Sequence, residues 1–363
     1  MRGPRGRRGA FGAPQGPAWG LGRSPMKATI TSVHPLAAVA GGRVTIRGPG
    51  VGARVGPGSH VQVGDRPARI LYADRDRVVC QVPSGLPGGT APVRLAGAPG
   101  ETAFLEVGLA VATGVHQVDS PVIGSDGTLY LTYSGTRGDE SPVSVFRVRR
   151  DAYREPFVTG ITNPTSLALH PDGRLFVSSR FDGAVYAVDD DGRPERVAAD
   201  LGVACGLAFA PDGTLYVGDR SGTVFRVSPA GEVDRFATLP PSVAAFHLVR
   251  TPGGTLYVTA PTLGTRDAVY AVSPEGVVSV VCRGFGRPQG MAVDAHGALH
   301  VVEALAGASG LYRVRTDGGV EQIVAGPSLV GAAFDATGGA VVVSDDAAYR
   351  FARLGTTDRV ITS

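Results

Sequence analysis

The sequence predicts an all-β chain: a small β-sandwich followed by a six-bladed β-propeller. Three observations carry this. A turn glycine recurs at Gly127, Gly173, Gly213, Gly254, Gly297 and Gly338, at intervals of 40 to 46 residues. After each comes an alternating run, such as Leu129-Tyr130-Leu131, Leu175-Phe176-Val177, Leu215-Tyr216-Val217 or Leu256-Tyr257-Val258. Ahead of the repeats, residues 28–107 hold short alternating runs of a different kind, separated by Gly and Pro, which is the pattern of a sandwich.

The repeating unit is clearest from Cys205 to Phe236. Cys205-Gly206-Leu207-Ala208-Phe209 reads as a first strand, and Pro211 breaks it. Asp212-Gly213 supplies the backbone freedom of a tight turn. Leu215 and Val217 then alternate with Thr214 and Tyr216, a period of two. Thr223-Val224-Phe225-Arg226-Val227 and Val233-Asp234-Arg235-Phe236 complete four strands, with Val224, Phe225 and Val227 expected to pack between blades. One four-stranded unit cannot bury both of its faces, so units at this period must stack into a closed ring.

Composition narrows the function classes. Six of the 35 basic residues lie in 1–27 and none of the 32 acidic ones does, so the remaining chain is slightly acidic. Residues 1–27 read as a disordered basic tail. Met26 stands directly before the first strand-like run, so residues 1–25 are expected to be leader outside the true start rather than a nucleic-acid arm. No apolar run has the length of a transmembrane helix and the tail lacks the core of a secretory signal, so a cytoplasmic location without membrane contact is expected. Cys80, Cys205 and Cys282 are too few for a disulfide scaffold and read as reduced apolar fillers. There is no P-loop, no His-Glu-x-x-His and no Gly-x-Ser-x-Gly.

Residues 28–107 carry a recognisable pattern. Ala28-Thr29-Ile30-Thr31-Ser32-Val33-His34-Pro35, Gly41-Gly42-Arg43-Val44-Thr45-Ile46-Arg47-Gly48, Arg77-Val78-Val79-Cys80-Gln81-Val82-Pro83 and Ala91-Pro92-Val93-Arg94-Leu95 resemble the IPT/TIG immunoglobulin-like domain. The resemblance implies an immunoglobulin-like sandwich that spaces or docks a neighbour. The propeller is then expected over 108–355, with a tail at 356–363. Ala110-Val111-Ala112-Thr113-Gly114-Val115 is similar to the outer strand of blade one, and no equal run follows Phe351. Residues near 109–113 are therefore expected to supply the outer strand of blade six and close the ring.

In such a ring the first strand of each blade starts, and the second ends, at one mouth of the channel. The starts give Asp119, Thr165, Cys205, Phe246, Gln289 and Val330; the ends give Tyr133, Ser179, Asp219, Ala260, Glu303 and Asp345. Repetition alone predicts like residues at these places. Unlike ones point to a mouth that faces a ligand. The candidate binding set is Asp119, Thr165, Arg180, Cys205, Asp219, Arg220, His247, Gln289, Glu303 and Asp345. Four carboxylates at one opening need neutralising, and Arg180 and Arg220 are expected to do it.

The repeats resemble the gluconolactonase/regucalcin superfamily, with NHL-like units. The resemblance implies a divalent cation, calcium for example, held at the inner ring, and lactone or ester hydrolysis. Asp119-Ser120-Pro121 is similar to the family's Glu-Gly-Pro, which makes Asp119 the candidate metal ligand; Cys205-Gly206-Leu207 and Gln289-Gly290-Met291 are similar to its Asn-Gly-Leu and Asp-Gly-Met. Cys, Phe246 and Gln at these places leave one carboxylate in the inner ring, few oxygens for a hard cation. The expected function is therefore binding of a small molecule or a protein at the mouth. A metal-dependent lactonase or esterase with a degraded metal site is the alternative.

Overall fold

The computed structural model describes residues 28–55, 60–95 and 102–354, and the basic tail and the C-terminal tail expected from the sequence lie outside these. The described chain is built from β-strands with one short 3-10 turn at Gly52–Arg54. No helix among the described residues is long and apolar enough to cross a membrane.

The described residues between 28 and 107 form the immunoglobulin-like sandwich. Its core is the inward set of Val33, Val44, Ile46, Val61, Val63, Val78, Cys80, Val93 and Leu105, all buried. Every second residue of Arg43–Arg47 and Arg77–Gln81 contributes to it, as a half-buried strand requires.

The rest is a β-propeller. Blade one is Val122–Ile123, Leu129–Thr132, Val145–Val148 and Arg154–Val158. Blade two is Pro164–Leu169, Leu175–Ser179, Ala184–Val188 and Pro194–Ala198. Blade three is Ala204–Phe209, Leu215–Asp219, Thr223–Val227 and Val233–Thr238, and blade four is His247–Arg250, Leu256–Thr259, Asp267–Val272 and Val278–Phe285. The closing blade is Leu329–Phe334, Ala340–Ser344 and Ala347–Phe351, with Leu109–Thr113 as its outer strand. That strand pairs antiparallel with Ala347–Phe351, so the ring is latched by its two chain ends.

The expectation of six blades needs a correction. Five four-stranded sheets stand alone, and the repeat Pro288–Val293, Leu299–Glu303, Gly310–Val314 and Val320–Ala325 does not. Its strands pair in the usual antiparallel order, but the outer one also pairs in parallel with Ala37–Ala38 of the sandwich. Ala37–Ala38 pairs on its other side with Glu106 and Val107. This fifth repeat is therefore one end of a twelve-stranded sheet that runs into the first domain.

The blade turns are built as the repeat suggested, with one refinement. Gly213 donates its N–H to Ala210 O at 3.0 Å, so the turn spans Ala210 to Gly213, and Gly213 is its last residue at φ +87°. Pro211 and Asp212 are its central residues, and the Asp212 carboxylate accepts from Thr214 N at 3.0 Å. Between blades, Val224 and Val227 are buried as expected, whereas Phe225 is only half-buried. It lies at the margin of the cluster formed by Leu207, Leu215 and Val217.

Candidate functional site

The inner strands enter the channel through irregular starts. Regular pairing skips from Pro164 to Leu167, Ala204 to Leu207, Pro288 to Met291 and Leu329 to Gly331. The skipped positions hold Thr165, Cys205, Gln289 and Val330, four of the ring residues read from the sequence. A bulge re-aims side chains and frees backbone groups. Hydroxyls of the preceding blade take up the freed carbonyls: Ser178 Oγ donates to Cys205 O at 2.5 Å and Thr259 Oγ1 to Gln289 O at 2.6 Å. Thr165, Cys205 and Gln289 are all buried at these positions.

The centre of the channel is an acid–imidazole pair. Asp119 Oδ1 lies 2.7 Å from His247 Nδ1, and both side chains are buried. Asp119 precedes the first strand of blade one and His247 opens blade four, so the contact crosses the channel. Ser120 N also donates to Asp119 Oδ1, at 2.6 Å. Gln117, which the sequence reading passed over, fixes this segment: its Nε2 donates to Asp119 O and its Oε1 accepts from Thr132 N and Oγ1. A carboxylate at Nδ1 selects the Nδ1–H tautomer and leaves the lone pair on Nε2. Nε2 is buried and has no partner. Beside the pair, burial pushes the Cys205 thiol up to about 12, so Cys205 is an inert thiol rather than a nucleophile.

The expected neutralisation of carboxylates by arginines is not what the structure shows. Asp219 accepts from Val203 N at 2.8 Å and from Ser221 Oγ, within its own turn. Glu303 accepts from the backbone N–H groups of Gly286, Arg287 and Leu305 at 2.5 to 2.8 Å. Both carboxylates are buried and serve to tie loops to strand ends. Asp345 is exposed. The physical reason is proximity: amides of the crossing loop reach these oxygens before a flexible guanidinium can.

Arg180 and Arg220 are consequently left without acids. Each follows the end of a second strand and is half-buried, and each keeps a buried Nε without a partner. Arg220 Nη2 donates to Val243 O at 3.1 Å. Burial depresses the Arg180 pKa, and repulsion from Arg137 and Arg220 depresses it further. Asn163, in a left-handed backbone position at φ +47°, organises this edge. Its side chain donates to Ser134 O and Thr136 O and accepts from Gly138 N, while its backbone carbonyl accepts from Arg180 N. One residue thus holds the Arg137 loop against the Arg180 turn. A separate cavity of about 290 Å³ lies at the opposite, turn-bearing face, lined by Asp126, Thr128, Tyr130, Arg147, Arg149 and Arg150.

A divalent cation does not fit the inner ring. Asp119 Oδ1 is engaged by His247 and Ser120, and the neighbouring positions offer a thiol, a phenyl ring and an amide. No group of three or more His, Cys, Asp or Glu among the described residues is placed to hold a metal ion. Hard cations take several oxygens, which these residues do not supply.

Comparison with known proteins finds a family for the first part of the chain only. Residues 28–103 match the family model of the IPT/TIG domain. No curated protein matches the sequence significantly. Among solved structures, a protein of unknown function from Bacteroides thetaiotaomicron is 16% identical with a TM-score of 0.56, over 91% of this chain and 98% of that one. An auxiliary nutrient binding protein from Bacteroides ovatus is 14% identical with a TM-score of 0.52, over 90% of this chain and 99% of that one. A gluconolactonase from Xanthomonas campestris is 18% identical with a TM-score of 0.54, over 67% of this chain and 88% of that one. At these identities the likeness is one of fold alone.

Proposed function

We propose that this protein binds a small molecule at the mouth of the propeller channel and does not depend on a metal to do so. The observation that carries the reading is the buried Asp119–His247 pair, whose unpartnered Nε2 faces a donor yet to come. A buried polar atom without a partner costs free energy that a ligand or water recovers. Likeness in fold to an auxiliary nutrient binding protein over nearly its whole length accords with this.

The second reading, lactone or ester hydrolysis, has one observation of its own: a carboxylate behind an imidazole is the arrangement of a general base. Without a fitting metal, that base would have to activate water alone. A thermal-shift screen of small metabolites against wild type and His247→Phe, run with and without chelator, tests the proposal. Stabilising hits that are lost in His247→Phe and indifferent to chelator are expected. Hydrolysis of lactones or esters that chelator abolishes would overturn it.

A further inference from the structure

The mouth has an unbalanced charge that points to the kind of ligand it takes. Three guanidinium groups, of Arg137, Arg180 and Arg220, come from loops of three successive blades. No acid forms a salt bridge with any of them among the described residues, although Asp139 and Glu140 stand next to Arg137 in sequence and are exposed. Of the four mouth carboxylates, Asp219 and Glu303 are spent on backbone amides and Asp119 on His247, while Asp345 stays exposed without a salt bridge to any of the three.

The backbone that carries two of these arginines is fixed, and the side chain of the third is tethered. Asn163 bridges the Arg137 loop and the Arg180 turn, and Arg220 is tethered through Val243 O. Gathering like charges costs free energy unless an opposite charge joins them, and no salt bridge among the described residues does so here. Around them stand exposed apolar side chains. Phe181 is 56% exposed and Val243 40% exposed, and each lies in a loop that carries or tethers one of these arginines. Phe181 also lies over the Arg137 loop, where a Cβ on Gly138 would stand 3.3 Å from its ring.

We infer that the mouth is a site for a small organic anion, its carboxylate, sulfate or phosphate group held by Arg137, Arg180 and Arg220 and its apolar body lying against Phe181 and Val243. This rests on the reading of the mouth as a small-molecule site and names the ligand's chemistry. Guanidinium forks match such oxyanions two bonds at a time, which gives orientation as well as attraction.

Calorimetric titration with benzoate, phenyl sulfate, phenyl phosphate and the neutral analogue benzamide tests it. At least one aryl anion is expected to bind ten times more tightly than benzamide. Its affinity is expected to fall about tenfold in Arg180→Gln and in Arg220→Gln, the loss of one charge-assisted contact, and to fall again as salt is raised. Arg69→Gln, on an exposed strand position of the sandwich, controls for net charge. Anion and amide binding alike at the mouth would overturn the anion assignment and leave a small-molecule site standing. Screening hits that are all neutral, with no aryl anion bound, would do the same. No binding by any probe or library member would overturn both.

Discussion

Asp119 and His247 lie 128 residues apart, and nothing in either one's neighbourhood announces the other. The ring positions were legible because the repeat fixes which residue opens each inner strand. The partners were not, because they depend on which loop crosses which strand end. Asp219 and Glu303 show this: both were read as mouth acids, and both turn inward to amides that only the folded loops bring near. Gln117 and Asn163 carried no periodic signal at all, since their value lies in hydrogen bonds across loops. A second buried imidazole gives a pH test at this scale. Burial depresses the His300 pKa, although Asp294 Oδ2 at 3.0 Å from Nε2 opposes the shift. The unfolded chain therefore protonates this histidine more readily than the folded one. Its contribution to stability is full above about pH 6.5, the unfolded value, and is lost as pH falls toward the folded value. Asp294, whose own pKa is lowered, acts only in the more acidic carboxylate range. Melting at pH 7.5 and 5.5 should show a loss at the lower pH that shrinks in His300→Gln; an equal loss in both proteins would remove His300 as the cause.

The strands themselves were the easiest features to read, because alternation and the Asp-Gly turn are local. Their irregular starts were not. A bulge changes pairing without changing the hydrophobic period, so Cys205 and Gln289 look like ordinary first residues of a strand. The glycine at three of the four bulges, Gly206, Gly290 and Gly331, has a reason that only neighbouring blades reveal. A Cβ on Gly206 would lie 2.5 Å from Phe246 O and 2.6 Å from Leu248 N, both backbone atoms of the next blade. Gly206 N donates to that same Phe246 O at 2.6 Å. Gly206→Ala should therefore force two inner strands apart and cost about 1–3 kcal/mol, the usual penalty for overpacking. Gly253→Ala is the control, since its nearest neighbour would be a side-chain oxygen at 3.9 Å. Denaturant unfolding that ranks the two substitutions equally would show that the blades tolerate wider spacing than their contacts indicate.

At the scale of the whole molecule, the sandwich and the propeller share hydrogen bonds as well as a chain. Ala37–Ala38 is inserted between Thr102–Val107 and Val320–Ala325, and Val39 N donates to Ala325 O at 2.9 Å. A Cβ on Gly108 would collide with the Phe351 ring at 2.8 Å, so the crossing point is closely packed. The two deletions 1–107 and 1–113 separate these roles. Both remove the sandwich, but only the second removes the outer strand Leu109–Thr113. The longer deletion should lower the melting temperature well below the shorter one, because it opens the ring and exposes the edge of Ala347–Phe351. Similar melting of the two would mean that closure adds little.

The single residue Gly108 between Thr102–Val107 and Leu109–Thr113 has a mechanical consequence. A pull applied to the sandwich cannot be absorbed by slack, because there is none. It passes into the strand that fastens the ring, along that strand's length, once the short pairing of Ala37–Ala38 with Val324 and Ala325 has parted. The first domain is thus the handle of a clasp, and tension on it would open the hoop at one seam while the other blades stayed whole.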